Sequence, residues 1–207
     1  MDILYQVEPI EGKGLGCIAL KEIKMGTLIL QEIPQCSPIE SQKELTIDFF
    51  NPTKSENELS IDFLSNLLDS FRNMSASDQA LFMNLHNRFQ NVTNFNDKTK
   101  KVWDQINNKK DRKGAETLEK VTEIYGIYKT NCNSRGVAIH ISRFNHSCAP
   151  NAENVWRSGE NDACEIRAVS KIKPGDEITV NYNPVEIVLK NLKIRQGTIK
   201  IHRFTSS

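Results

Sequence analysis

The chain has 207 residues, of which 38% are hydrophobic, so it can form one domain, or one domain with an insert, around a core that needs no metal or disulfide. Its 27 basic and 26 acidic residues nearly balance, which gives no argument for nucleic-acid binding. The five cysteines are widely spaced, which suits free thiols in a reducing compartment. The sequence has neither a signal peptide nor an apolar run of about 20 residues. We therefore expect a soluble intracellular protein, nuclear or cytoplasmic, with no membrane contact.

The first forty residues have the pattern of a β structure. Residues 16–20 and 27–33 are apolar and rich in β-branched side chains, which is typical of strands. Between them, Lys24-Met25-Gly26 forms a plausible turn.

The middle of the chain changes to a helical pattern. Residues 62–68 look like the start of a helix, and residues 75–78 offer N-cap side chains for a second helix. The apolar face of that second helix would contain Leu81, Phe82, Leu85 and Phe89. After Gly114 a third helix is predicted by an apolar stripe of period near 3.6, formed by Leu118, Val121, Ile124, Tyr125 and Tyr128.

A polar, lysine-rich stretch lies between the second and third predicted helices. Residues 91–113 are rich in Asn, Asp and Lys, with Val102, Trp103 and Ile106 as a short apolar island. The segment from residue 98 to residue 113 is a solvated helix face or a loop; the alternative is a patch that binds a partner.

The last part of the chain returns to a β pattern. Short strands are predicted at residues 137–141, 152–156, 164–169 and 177–182, with polar turns at 158–161 and 173–176. The predicted fold class is therefore α+β, mainly β, with a helical insert between two β parts.

Three glycines, Gly12, Gly14 and Gly16, alternate near the N-terminus and permit positive φ or close approach of a ligand to bare backbone. A phosphate-binding loop or a dinucleotide fingerprint would have to open a helix, but residues 17–20 continue as a strand. The residues themselves indicate a tight turn between strands.

The segment Asn145-His146-Ser147-Cys148 concentrates an amide, an imidazole, a hydroxyl and a thiol, and Pro150-Asn151 follows closely. A Cys-His nucleophile pair is one possibility, although residues two apart in an extended segment should be too distant for direct proton transfer. Zinc binding is another, but no neighbouring Cys or His completes a set of ligands. The third is a turn whose side chains cap backbone groups.

The predicted strand at residues 177–182 follows a Lys-Pro-Gly-Asp turn and ends in Tyr182. By residue type alone, a tyrosine at the end of a strand usually packs in a core or at an edge.

Taken together and in this order, the glycine turn, the segment from Arg143 to Asn151 and the strand that ends at Tyr182 resemble the SET-domain protein lysine methyltransferases. The similarity is greatest to the SET-and-MYND branch and its fungal-type relatives, although no MYND finger is present. It covers residues 7–33 and 128–196, and it implies short strands in small sheets with a knot-like C-terminal threading. It further implies a protein or peptide lysine, on a histone or another protein, as the substrate.

The resemblance also implies roles for particular residues. Tyr182 corresponds to the catalytic tyrosine of the family. The pocket for S-adenosylmethionine would be formed by Lys13, Gly14, Leu15, Asn145, His146 and Phe204, the last stacking on the adenine.

The resemblance divides the chain into an N-terminal β part (1–40), a helical insert (41–127), a C-terminal catalytic part (128–196) and a truncated post-SET tail (197–207). The family's post-SET cysteines have no counterpart here, so we expect no bound metal. The expected activity is protein-lysine N-methylation linked to chromatin or another intracellular target. The alternative is a SET-fold protein-interaction module of weak or no activity.

Overall fold

The computed structural model describes residues 3–38, 59–107, 116–133, 136–157 and 163–182. Within these ranges the chain forms seven β-strands and four α-helices. In chain order they are β1 (Tyr5–Ile10), β2 (Gly14–Ala19), β3 (Leu28–Glu32), α1 (Ile61–Arg72), α2 (Ala76–Met83), α3 (Thr93–Asn107), α4 (Leu118–Asn131), β4 (Asn145–His146), β5 (Ala152–Arg157), β6 (Ala163–Ala168) and β7 (Glu177–Val180). The prediction of an α+β fold with small sheets is confirmed.

The first sheet brings the two ends of the described chain together. Its order is β1-β2-β7-β4. β1 and β2 form an antiparallel hairpin, β7 pairs antiparallel with β2, and β4 pairs parallel with β7. The glycine turn and the Asn-His segment therefore lie in the same sheet, on opposite sides of the strand that leads to Tyr182.

The second sheet has the order β3-β6-β5, and both of its pairings are antiparallel. The predicted turn at residues 24–26 precedes it: the Thr27 N–H donates to the Lys24 carbonyl at 3.1 Å, and Gly26 adopts φ +82°. That φ lies in the left-handed region, where glycine carries no steric penalty.

Hydroxyl side chains cap three of the helices. The hydroxyl oxygens of Ser60, Ser75 and Thr117 accept the N–H three residues later at the starts of α1, α2 and α4. The cap predicted at residues 75–78 is confirmed. The helix that follows this cap ends at Met83, however, so Leu85 and Phe89 lie beyond it and do not extend its apolar face as predicted.

The lysine-rich stretch forms a full helix, α3, over the part that the structure describes. Its Thr99, Trp103 and Ile106 are buried, while the lysines between them are exposed. The apolar island of the sequence is thus the inner face of an amphipathic helix.

Two hydrophobic clusters form the core. One joins the helices and contains Leu64, Leu67, Phe71, Phe82, Trp103, Ile124 and Tyr128, among others. The other joins the sheets and contains Cys17, Ile23, Phe144, Ile166, Ile172 and Ile178, among others. The divisions predicted at residues 40/41, 127/128 and 196/197 stay predictions, and α4 spans the second of them.

The prediction of a strand at residues 137–141 is wrong. Val137 makes only an isolated bridge with Cys36, and the chain then turns into a 3-10 helix at Ile141–Arg143. The cause lies on β3, where the buried Glu32 carboxylate accepts the N–H of His140 and of Ile141, each at 3.0 Å. These backbone donors are therefore not available to a neighbouring strand.

Among the described residues, no helix is long and apolar enough to cross a membrane.

Candidate active site

The turn between β1 and β2 forms one wall of the site. The Lys13 N–H closes it by donating to the Ile10 carbonyl at 3.0 Å, and Gly12 and Gly14 adopt φ of +74° and +77°. Glycine is required at such angles because a Cβ would be strained there. A strand follows this turn, which rules out the helix that a phosphate-binding loop needs.

Gly16, the third glycine, allows a close approach of side chains from distant parts of the chain. A Cβ at this position would clash with Ile10 Cδ1 and would lie 2.7 Å from Nδ2 of Asn145 and 3.2 Å from Oε1 of Glu177. The bare backbone of Gly16 thus makes room for the Asn145 amide against β2.

The Asn145 amide connects the two strands that flank β7. Its Nδ2 donates to the Leu15 carbonyl at 3.1 Å and to Oε1 of Glu177 at 2.9 Å. The other Glu177 oxygen, Oε2, pairs with Nζ of Lys13 at 2.6 Å. An ammonium, a carboxylate and an amide therefore lie together at the glycine turn.

Glu177 is the residue of this group that the sequence reasoning did not single out. Its side chain is 17% exposed, against 47% for Lys13. The available signal was its place in the strand that ends at Tyr182, directly after the Pro-Gly-Asp turn.

Tyr182 reaches back to the residue before the Asn-His segment. Its hydroxyl donates to the Phe144 carbonyl at 2.8 Å, although 57% of the residue is exposed. Burial of the phenol, with smaller contributions from Glu177 and Cys17, raises the pKa of Tyr182 above its ordinary value. The hydroxyl therefore keeps its proton at neutral pH and acts as a hydrogen-bonding group, not as a base.

His146 connects Tyr182 with Cys148. Its Nδ1 accepts the Tyr182 N–H at 3.1 Å, so in the neutral ring the proton is on Nε2. That Nε2 lies 3.4 Å from the Cys148 sulfur. The expectation that residues 146 and 148 are too far apart for direct proton transfer is therefore wrong as to distance, because the sulfur and Nε2 are within hydrogen-bond range. A cysteine hydrolase needs a third side chain, such as a carboxylate or an amide, that orients the histidine. Here a backbone N–H binds Nδ1 of His146, so such a side chain does not bind this nitrogen.

The segment around His146 is bound to β7 along its length. The Ser147 N–H donates to the Val180 carbonyl at 2.9 Å. The Asn151 amide donates to the Glu177 carbonyl at 2.8 Å and accepts the Thr179 N–H at 2.9 Å. The Asn151 side chain thus makes hydrogen bonds with the backbone of β7 that a neighbouring strand would otherwise make. It thereby holds in place the strand that carries Glu177.

Arg143 connects the site to the helical part of the chain. Its guanidinium donates to the carbonyls of Leu81 and Asn84, at the end of α2, at 3.4 and 3.0 Å. Burial lowers the pKa of Arg143 from its ordinary value, but an arginine stays charged at any physiological pH.

Five of the seven predicted site residues are linked by contacts in the structure. Asn145 contacts Leu15 directly and Lys13 through Glu177, and His146 contacts Tyr182. Gly14 is the first residue of β2, directly after the turn. Phe204 lies outside the described residues, and its role stays a prediction. No group of three or more His, Cys, Asp or Glu side chains in the described ranges is arranged to hold a metal ion, and the expected absence of metal also stays a prediction.

Comparison with known proteins defines the class of this fold and site. The SET domain family matches residues 14–183, and the chain belongs to that family. A SET domain-containing protein of Acanthamoeba polyphaga mimivirus, L678, is 30% identical over 196 residues, which are 92% of this chain and 70% of that protein. The mouse protein-lysine N-trimethyltransferase SMYD5 is 40% identical over 52 residues, 25% of this chain and 12% of that protein.

Solved structures share the fold. The SET domain of LSMT bound to lysine and AdoHcy superposes with a TM-score of 0.57 at 14% identity over 88% of this chain and 50% of that chain. Rubisco LSMT bound to AdoMet gives 0.55 at 16% identity over 88% of this chain and 49% of that one. The chain thus spans about half the length of these solved chains.

Proposed function

We propose that the protein is an S-adenosylmethionine-dependent protein-lysine N-methyltransferase. The main supporting observation is the hydrogen bond of 2.8 Å from the Tyr182 hydroxyl to the Phe144 carbonyl. The next residue, Asn145, belongs to the polar group that it forms with Glu177 and Lys13. The proposal is supported by a phenol that can orient a nucleophile, close to charged and polar groups that suit an amino acid.

The residues present fit the cofactor. The amino-acid end of S-adenosylmethionine carries an ammonium and a carboxylate. Lys13 supplies a cation for the carboxylate, and the Asn145 amide supplies an acceptor for the ammonium. The bare backbone from Gly14 to Gly16 lets a ligand approach β2, as the clash of a Cβ at Gly16 indicates. Phe204 would cover the adenine, as predicted from the family.

When bound, the cofactor supplies a methyl group on a positively charged sulfur. The protein then has to bring a neutral lysine amine into line with that methyl group. Free lysine has a pKa near 10.4, so a site that excludes water must favour the uncharged amine. Tyr182 and the Phe144 carbonyl offer oxygen atoms that orient the amine and accept weak CH···O contacts. Such alignment can lower the barrier by about 7 kcal/mol.

The substrate that we propose is a lysine side chain of a protein, on a histone or on another target. The names of relatives support a lysine: LSMT structures contain lysine or monomethyllysine, and SMYD5 is called a protein-lysine N-trimethyltransferase. A nuclear or cytoplasmic location, with chromatin as one target, stays a prediction.

The test is methyl transfer from radiolabelled S-adenosylmethionine to fractionated cell protein by the wild type, Tyr182→Phe and Tyr125→Phe. Tyr125 is a matched control because it lies in the helical core. We expect Tyr182→Phe to lose turnover and to keep its affinity for S-adenosylhomocysteine, while Tyr125→Phe keeps both. Unchanged turnover in Tyr182→Phe would show that the catalytic assignment is wrong. A wild type that binds cofactor but transfers no methyl group would select the alternative, an interaction module.

A further inference from the structure

The Asn145 amide is held in one orientation. Both hydrogens of its Nδ2 are used, one on the Leu15 carbonyl at 3.1 Å and one on the Glu177 carboxylate at 2.9 Å. Within the described part of the chain, no group donates to its Oδ1. The amide therefore offers a ligand an acceptor and no donor.

We propose that Glu177 is a positioning residue that makes the site selective for the α-ammonium of the cofactor. It acts through Asn145: by occupying the amide N–H it leaves Oδ1 as the acceptor for a ligand. The inference rests on the proposed function, because it assigns a task to Glu177 within the same cofactor site.

A carboxylate suits this task because it can only accept hydrogen bonds. With the amide of Asn145 turned over, Oδ1 would face the carboxylate and the Leu15 carbonyl, three acceptors together. A glutamine at position 177 could donate to Oδ1, so that only the Leu15 carbonyl would still oppose the turned-over amide and the bias toward one orientation would be smaller. The ion pair with Lys13, at 2.6 Å, directs the second carboxylate oxygen of Glu177 away from Asn145.

On the side of β2, the Asn145 amide has no room to move closer to the strand. Nδ2 already lies where a Cβ on Gly16 would come within 2.7 Å, so the amide is packed against the backbone of β2. Glu177 is itself fixed, because the Asn151 amide binds its carbonyl at 2.8 Å. The orientation is therefore built into the sheet before any ligand binds.

The experiment compares the affinity of each protein for S-adenosylhomocysteine with that for the analogue that lacks only the α-amino group, by titration calorimetry. The wild type should prefer the amino compound by at least about tenfold, as a hydrogen bond to a charged group implies. Glu177→Gln should lower that preference measurably, with little change in its affinity for the analogue. Glu177→Asp, which still only accepts, should keep the preference.

Glu22→Gln is the matched control because it removes a Lys–Glu pair of similar length, Lys171 to Glu22 at 2.7 Å, outside the site. It should leave the preference unchanged. Equal losses for both ligands in Glu177→Gln would mean that Glu177 only supports the fold, which would overturn the inference but not the proposed function. If the wild type shows no preference for the amino compound, the inference is overturned whatever the variants do. A wild type that binds neither ligand would refute the proposed function itself.

Discussion

Replacing Glu32 should lower the free energy of unfolding, because its carboxylate holds a backbone segment more than a hundred residues away in the sequence. The Glu32 carboxylate, 9% exposed, accepts the N–H of His140 and of Ile141, each at 3.0 Å. In Glu32→Ala both donors lose their partner at the start of the 3-10 helix that leads into Asn145. Hydrogen bonds to charged groups contribute about 1.5–3 kcal/mol each, so at the lower end of that range the loss of both should cost about 3 kcal/mol of the free energy of unfolding.

The measurement is thermal unfolding followed by circular dichroism. For a protein of this size, each kcal/mol shifts Tm by about 2–4 °C, so Glu32→Ala should melt roughly 6–12 °C lower. Both N–H groups lie 3.0 Å from the same oxygen, Oε2, so Glu32→Gln can keep both hydrogen bonds and loses only the charge; it should lose about half as much. Glu153→Gln removes an exposed carboxylate from β5 and serves as the control. If Glu32→Ala melts within a degree of this control, Glu32 does not hold the segment in place.

Gly16→Ala should weaken the binding of S-adenosylhomocysteine at least about tenfold, since the new methyl group meets the Asn145 amide; an unchanged Kd by calorimetry would contradict this. Thr117→Ala removes the N-cap of α4 and should lower the free energy of unfolding by about 1 kcal/mol in urea titrations, whereas Thr117→Ser should not. Cys148 is exposed, whereas burial raises the pKa of Cys17 to about 12. Iodoacetamide at pH 8 should therefore modify Cys148 first, as measured by peptide mass spectrometry. Equal modification of Cys17 would show that the sheet core opens readily.

Local sequence patterns were sufficient to predict those elements whose structure depends on residues close in sequence. The hydroxyl at Ser75 caps α2 as predicted, and the stripe from Leu118 to Tyr128 became the buried face of α4. The three distant clusters were joined by resemblance alone. Their contacts, such as Asn145 with the Leu15 carbonyl, connect residues that no periodicity relates.

The errors came from partners far along the chain. Residues 137–141 have the composition of a strand, but Glu32 takes the backbone donors that a strand would use. The contact of His146 with Cys148 was missed because an extended segment was assumed, whereas the chain leaves β4 directly after His146. The position of Glu177 between Lys13 and Asn145 likewise depends on the pairing of β2 with β7.

The central place of β7 has a consequence for synthesis of the protein. β2 emerges from the ribosome early, with the edge that pairs with β7 still open, and the residues of β4 follow much later. Only when residues 177–180 appear can both be joined, because β7 lies between them. Until then the nascent chain carries an unpaired strand edge, the kind of surface on which chaperones act and from which aggregates grow. Folding of the first sheet is therefore expected to follow, and not to accompany, translation of its earlier strands.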